Sequence, residues 1–212
     1  MILPIENDLT YYREYLVFRK NTYEKNMATI VLSGGSITSG YATTQSYVAM
    51  LSSDEAIKQH SIINVSHFGD SSFEGIWHFD RVLQHKPDVL IIHFGMDDMY
   101  RPVYRSEFKE NLVRMVQKAR ESYIKHIIMP TLHLVPNQYD MDAVNVFTRT
   151  VREVALDLHC HLATVHIEWM NYLYENNDTL ESLLTHDYRY PNEKGHLLIA
   201  EAIKKRLIPL LK

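Results

Sequence analysis

Disulfides, membrane-spanning segments and export signals all lack support in this sequence. Cys160 is the single cysteine, so no disulfide can form within the chain. No apolar run reaches the roughly 18 residues that a membrane-spanning helix needs. The N-terminal stretch places Glu6, Asp8 and Arg13 where a secretory signal would be basic and then apolar. We therefore expect a soluble protein of a reducing compartment and predict a cytoplasmic location.

Clusters of lysine and arginine are also missing. The formal net charge is -4, from 22 basic and 26 acidic residues. Proteins that bind nucleic acid or an anionic membrane through charge usually carry a basic patch, so we expect neither partner. The composition, 46% hydrophobic and 23% charged, is that of a globular chain that can bury a sizeable core.

Strand and helix patterns alternate along the chain. Short apolar runs bounded by glycine or proline predict strands at 28–32, 62–65, 88–94, 126–129 and, more weakly, 162–167. Helical spacing of apolar residues predicts helices at 6–26, 45–52, 73–84, 107–122, 142–158 and 192–211. This alternation indicates parallel βαβ units in a doubly wound sheet. Such sheets bind ligands outside the carboxyl ends of their strands.

Three segments that follow predicted strands, and one that precedes the last helix, contain reactive or glycine-rich sequence. They are VLSGGSITSG (31–40), NVSHFGDSS (64–72), FGMDDMYRP (94–102) and HDYRYPNEKGH (186–196). Each residue type has an ordinary structural explanation as well. Ser36 could cap a helix, Gly69 could permit a left-handed turn, and Asp97 with Asp98 could cap a loop.

In this order, the four segments resemble the sequence blocks of the SGNH (GDSL-like) serine hydrolases. The first block of that family is Gly-Asp-Ser-hydrophobic-Thr-x-Gly, and residues 34–40 read GGSITSG, with Gly35 in place of the aspartate. The second block is matched by Asn64, Gly69 and Asp70. GMDD at 95–98 lies where the family has Gly-x-Asn-Asp, and DYRYP at 187–191 where it has Asp-x-x-His-Pro.

The resemblance covers about residues 28–211 and implies a fold. It implies an α/β protein, a three-layer α/β/α sandwich with a doubly wound, mostly parallel, five-stranded sheet of the flavodoxin-like kind. We accordingly predict a hydrolase-like domain at 28–212 and an N-terminal helical extension at 1–27.

The resemblance also implies catalytic roles, and two positions depart from them. Ser36 matches the nucleophile, Asp187 the aspartate that orients the catalytic histidine, and Gly69 a backbone donor to the oxyanion. Tyr190 stands where the family has its histidine, and a phenol with a pKa near ~10 is a poor base at neutral pH. Asp97 replaces the oxyanion-binding asparagine; an ionised carboxylate cannot donate a hydrogen bond, although a protonated one can. These five residues form the predicted catalytic set.

Other histidines could in principle replace the missing base. His67 and His186 lie in the predicted site loops, whereas His93 is expected to be packed inside a strand and His196 to be structural. A metal site formed by Asp97, Asp98, Asp187 and a histidine is chemically possible, but no ligand spacing indicates one. We therefore predict no metal and no cofactor.

Three functions remain open at this point. The first is an esterase that acts on a small acyl ester or an O-acetylated carbohydrate, with Ser36 as nucleophile and a non-standard base. The second is a catalytically degenerate member of the family that binds a small acylated or sugar ligand. The third is an interaction module that uses the N-terminal helix. The sequence does not specify the oligomeric state.

Overall fold

Five parallel strands form one sheet at the centre of the protein. The computed structural model describes residues 27–101 and 103–212. The strands are β1 (Thr29–Gly34), β2 (Ser61–Asn64), β3 (Val89–His93), β4 (His126–Pro130) and β5 (His161–Ala163). Their order is β2-β1-β3-β4-β5, and every pair of neighbours is parallel. The chain reverses its direction of travel across the sheet between β1 and β3, where doubly wound folds place their ligands.

Helices connect the strands and cover both faces of the sheet. They are α1 (Ser36–Ser39), α2 (Tyr47–Ser53), α3 (Ser72–Trp77), α4 (Phe79–Gln84), α5 (Met96–Tyr100), α6 (Arg105–Glu121), α7 (Gln138–Asp157), α8 (Val165–Asn176) and α9 (Glu193–Leu207). Single 3₁₀ turns lie at Leu180–Leu183 and Ile208–Leu210. Helix α9 packs against α2 and α8, while α6 packs against α3 and α7. The result is the predicted three-layer sandwich.

The two central strands are buried on both faces, as expected when helices cover a parallel sheet. In β1, residues Ile30, Val31 and Leu32 have no exposed surface, and all five residues of β3 are buried. Continuous apolar runs therefore mark these strands in the sequence. Because their side chains are fixed from both sides, the loops at their carboxyl ends begin from a rigid base.

The structure corrects several predicted boundaries. Strand β5 ends at Ala163, and part of the predicted strand at 162–167 belongs to α8. Val165 and Trp169 lie four residues apart and are fully buried on one face of α8. This helical spacing was missed because the short apolar run before it also fits a strand. The predicted helix at 73–84 is two helices that meet at His78. The predicted helix at 6–26 lies outside the described residues, and the predicted domain boundary between 27 and 28 stays a prediction.

Within 27–101 and 103–212, no helix combines the length and the apolar character needed to cross a membrane.

Candidate active site

Ser36 lies immediately after β1, at the start of α1. Gly35, not Ser36, is the N-cap of this helix, and no side chain caps it, so the structural alternative for Ser36 is wrong. The two preceding glycines allow close approaches that a side chain would block. A Cβ on Gly34 would collide with the carbonyl oxygen of His93, and one on Gly35 with that of Asp70. Ser36 itself has no exposed surface.

The Ser36 hydroxyl lies between a hydrogen-bond acceptor and a hydrogen-bond donor. Its Oγ donates a hydrogen bond of 2.5 Å to Oδ1 of Asp97 and accepts one of 3.0 Å from the backbone N–H of Gly69. The backbone N–H of Ser36 donates to Oδ2 of Asp97 at 2.7 Å. The phenol of Tyr190 lies close to the Ser36 side chain. Four of the five predicted catalytic residues therefore meet at the carboxyl edge of the sheet.

Gly69 supplies its N–H from a left-handed backbone conformation. Its φ is +78°, a region that glycine enters without strain. The predicted left-handed turn is therefore present, and it aims the N–H at Ser36, while the role of this N–H as an oxyanion donor stays a prediction.

Asp97 lies in the first turn of α5, directly after β3. Burial raises the pKa of its carboxyl group above the usual 3.8; the negative charge of Asp70 also raises it, whereas hydrogen bonds from Ser36 and the charge of Arg101 lower it. The carboxylate accepts two hydrogen bonds from one serine. Sequence reasoning identified the position but missed this pairing.

The neighbouring Asp98 has a structural role. It is fully buried and accepts a hydrogen bond of 2.9 Å from the backbone N–H of Ser72, which joins α5 to the start of α3. Burial raises the pKa of Asp98 to about 6, and the charge of Asp97 adds to the effect. Asp98 therefore supports the loop that carries Asp97.

Tyr190 lies beside Ser36 as a neutral phenol. Burial raises its pKa above the usual 10, and the nearby charge of Asp97 raises it further. A phenol that keeps its proton donates hydrogen bonds and cannot serve as a base at neutral pH. The ring of Tyr190 packs edge-on against Tyr41 at 4.9 Å between centroids, and Tyr41 lies 4.2 Å from the ring of Phe68. We call these three residues the aromatic cluster.

Asp187 is engaged mainly with its own loop. Its Oδ1 accepts hydrogen bonds from the Thr185 hydroxyl at 2.6 Å and from the backbone N–H of Arg189 at 3.1 Å. Partial burial raises the pKa of Asp187, but these hydrogen bonds outweigh it and the pKa is below 3.8. Among the described residues, no hydrogen bond joins Asp187 to Ser36. The carboxylate shapes the loop that presents Tyr190.

No histidine in the described part of the chain hydrogen-bonds to Ser36. His67 is exposed and lies 3.4 Å from the carboxylate of Asp70, and His186 is exposed in the loop before Asp187. His93 and His196 are buried against Tyr47, in agreement with their predicted packing roles. The residues described also contain no group of three or more potential ligands that could hold a metal ion.

Comparisons with known proteins agree with this fold. Residues 32–198 match the GDSL-like lipase/acylhydrolase family. Esterase TesA of Pseudomonas aeruginosa is 30% identical over 140 residues, which cover 63% of this chain and 68% of that protein. These matches support the prediction of an esterase.

Solved structures of other proteins share the fold. The lipase/acylhydrolase from Enterococcus faecalis has a TM-score of 0.75 and 22% identity, covering 86% of this chain and 96% of its own. An acetylxylan esterase from Geobacillus stearothermophilus has a TM-score of 0.72 and 18% identity, and the match covers 84% of this chain and 93% of the esterase chain. The order of the sheet, the position of Ser36 after β1 and the sequence match over most of the chain lead to one conclusion: this protein belongs to the GDSL-like lipase/acylhydrolase family.

Proposed function

We propose that the protein hydrolyses small acyl esters, with Ser36 as the nucleophile. The observation that carries this proposal is the hydrogen bonding of the Ser36 hydroxyl. Its proton is directed at a carboxylate oxygen 2.5 Å away, and a backbone N–H lies 3.0 Å from the same Oγ. A nucleophile paired with a proton acceptor and flanked by a backbone donor is the arrangement that acyl transfer requires.

We further propose an O-acetylated carbohydrate as the substrate class. The aromatic cluster borders Ser36, and two of its rings are open to solvent, with Tyr41 42% and Phe68 60% exposed. Exposed aromatic rings can pack against the apolar faces of sugar rings. The acetylxylan esterase with the same fold supports this choice, since it acts on an acetylated sugar polymer.

One observation favours a second candidate, a protein that binds an acylated ligand without turning it over. Ser36 has no exposed surface, and its backbone N–H, an oxyanion donor in the family, is occupied by Asp97. A substrate must therefore displace existing contacts before it reacts. We expect esterase activity to be slow compared with a relative that has the complete Ser-His-Asp triad.

A panel of nitrophenyl esters and acetylated xylo-oligosaccharides, tested with the parent and with Ser36→Ala, separates the two candidates. An esterase gives turnover above the Ser36→Ala background, fastest with acetyl esters. A fluorophosphonate probe should add one adduct mass at Ser36 and none in the variant. Binding of acetylated oligosaccharide with no turnover and no adduct would establish the second candidate instead.

A further inference from the structure

We propose that Asp97 is the general base that removes the proton of Ser36, so that a serine–aspartate dyad replaces the family's serine–histidine–aspartate triad. The inference rests on the proposed esterase function. It gives Asp97 a role different from that of the asparagine at the matching family position, which donates a hydrogen bond to the oxyanion.

The contact between the two side chains has the geometry of a nucleophile and its base. Oδ1 of Asp97 lies 2.5 Å from Oγ of Ser36, within the reach that direct proton transfer needs. Oδ2 accepts the backbone N–H of the same serine, and this second hydrogen bond fixes the plane of the carboxylate. The N–H of Gly69 approaches Oγ independently and stabilises negative charge that develops there.

Gly35 provides the space that this contact requires. A Cβ at position 35 would collide with Oδ2 of Asp97. Any larger residue at 35 therefore excludes the observed position of the carboxylate. The family motif has aspartate at 35 and asparagine at 97, whereas this chain has Gly35 and Asp97. The absence of a side chain at Gly35 leaves open the space that the carboxylate of Asp97 occupies.

The surroundings of Asp97 make its carboxylate a stronger base than one in water. Burial and the charge of Asp70 raise its pKa, while Arg101 and the hydrogen bonds from Ser36 oppose that rise. Asp98 is the adjacent carboxylate, and its own pKa responds to the charge of Asp97. Tyr190 is neutral and adds no charge. The base is active when deprotonated, so activity should increase as the pH rises through the pKa of Asp97.

The reaction balances with these groups alone. As Oγ of Ser36 bonds to the ester carbonyl carbon, its proton passes to Oδ1 of Asp97. When the carbon–oxygen bond to the alcohol breaks, Asp97 returns that proton to the departing oxygen. Asp97 then takes a proton from the water that attacks the acyl-enzyme, and passes it to Oγ of Ser36 as the carboxylic acid leaves.

Proton transfer to Asp97 also prepares the oxyanion site. A neutral carboxylic acid is a weaker hydrogen-bond acceptor than a carboxylate. The N–H of Ser36 is therefore released from Asp97 at the stage when negative charge develops on the carbonyl oxygen. That N–H, the N–H of Gly69 and the phenol of Tyr190 are then the available donors.

The test is Asp97→Asn in two backgrounds, the parent and Tyr190→His, with acetyl-ester turnover as the readout. In the parent, loss of the base should lower kcat by about 10²–10⁴-fold. In Tyr190→His, a histidine supplies the base and the introduced asparagine supplies an oxyanion donor, so Asp97→Asn should raise kcat. Asp80→Asn is the matched control, since it removes an exposed carboxylate on α4 that forms no part of the site. Thermal melts verify that each variant is folded.

The pH profile is a second readout that does not depend on the folding of an Asp97 variant. The acid limb of kcat/KM should lie above pH 3.8 in the parent and shift to lower pH in Asp70→Asn, because the charge of Asp70 raises the pKa of Asp97. Initial rates after a pH jump, with intrinsic fluorescence recorded in parallel, separate this limb from unfolding.

Three results would overturn the inference, and they are distinguishable. If the ester turnover of the parent does not exceed that of Ser36→Ala, the proposed esterase function fails, and the assignment of Asp97 as its base fails as well. If parent activity depends on Ser36 but Asp97→Asn is equally active or faster, only the base assignment fails, and Asp97 merely obstructs the oxyanion site. If Asp97→Asn lowers kcat in both backgrounds and the acid limb does not respond to Asp70→Asn, Asp97 is a positioning residue.

Discussion

A buried cluster of three histidines should make the stability of this protein steeply dependent on acid pH. His93, His133 and His196 are buried close together, and one ring nitrogen of each has no hydrogen-bond partner among the described residues. Burial, together with the positive charge of protonated neighbours in the cluster, lowers the pKa of His93 and of His196 to about 3. Burial likewise lowers the pKa of His133 to about 4.

The direction and size of the effect follow from these values. An unfolded histidine takes up its proton near pH 6.5, whereas the folded cluster stays neutral until about pH 4. Between these limits the unfolded chain binds more protons, so the free energy of unfolding decreases as the pH falls. Each histidine contributes about 1.4 kcal/mol per pH unit, and three contribute about 4 kcal/mol per unit. At pH 5 the accumulated loss is about 6 kcal/mol, comparable to the whole stability of many domains.

Urea unfolding at several pH values between 7 and 5 measures this loss directly. We expect the midpoint to fall steeply below pH 6.5 and His133→Gln to reduce the slope by about one third, since it removes one of three titrating groups. The matched control is His85→Gln, a change at an exposed histidine that should leave the slope unaltered. A free energy of unfolding that varies by less than about 1 kcal/mol over this range would refute the reasoning.

Three further predictions concern single side chains. Gly35→Ala should lower both the melting temperature and ester turnover, because its Cβ meets Oδ2 of Asp97 and the backbone oxygen of Asp70; an unchanged melt and rate would contradict this. Tyr190→Phe should lower kcat by about 10²-fold with little change in KM, since it removes an oxyanion donor; an unaltered kcat in steady-state assays would exclude that role. Trp169→Ala should cost about 3–5 kcal/mol in urea unfolding, because this side chain is fully buried; a cost below about 1 kcal/mol would show that the core refills the space.

Much of the fold is determined by local patterns in the sequence. Apolar runs that end at Gly34 and at Gly95 define the two central strands, and helical spacing defines the long helices α6, α7 and α9. The pattern fails where an element is short, as at β5, since three apolar residues fit the start of a helix as well as a strand. The strand predicted at 162–167 overlaps the start of α8, so the sequence analysis did not predict this helix or the burial of Trp169 on it.

The sequence by itself also determined which residues meet. Because parallel strands end at one edge of the sheet, the segments after β1, β2 and β3 had to approach one another, and the block order identified Ser36, Gly69 and Asp97 within them. The presence of Tyr190 instead of histidine likewise showed that the usual base is missing.

Only the tertiary structure decided what Asp97 does. From the sequence, an ionised carboxylate at this position was expected to be unable to donate a hydrogen bond to an oxyanion. In the structure, the carboxylate accepts hydrogen bonds from both the hydroxyl and the backbone N–H of a serine 61 positions away. That pairing requires the loops after β1 and β3 to approach closely, with Gly35 leaving the space between them. Sequence patterns specify local conformation and burial, whereas a hydrogen bond between distant loops depends on their relative positions to within a fraction of an ångström.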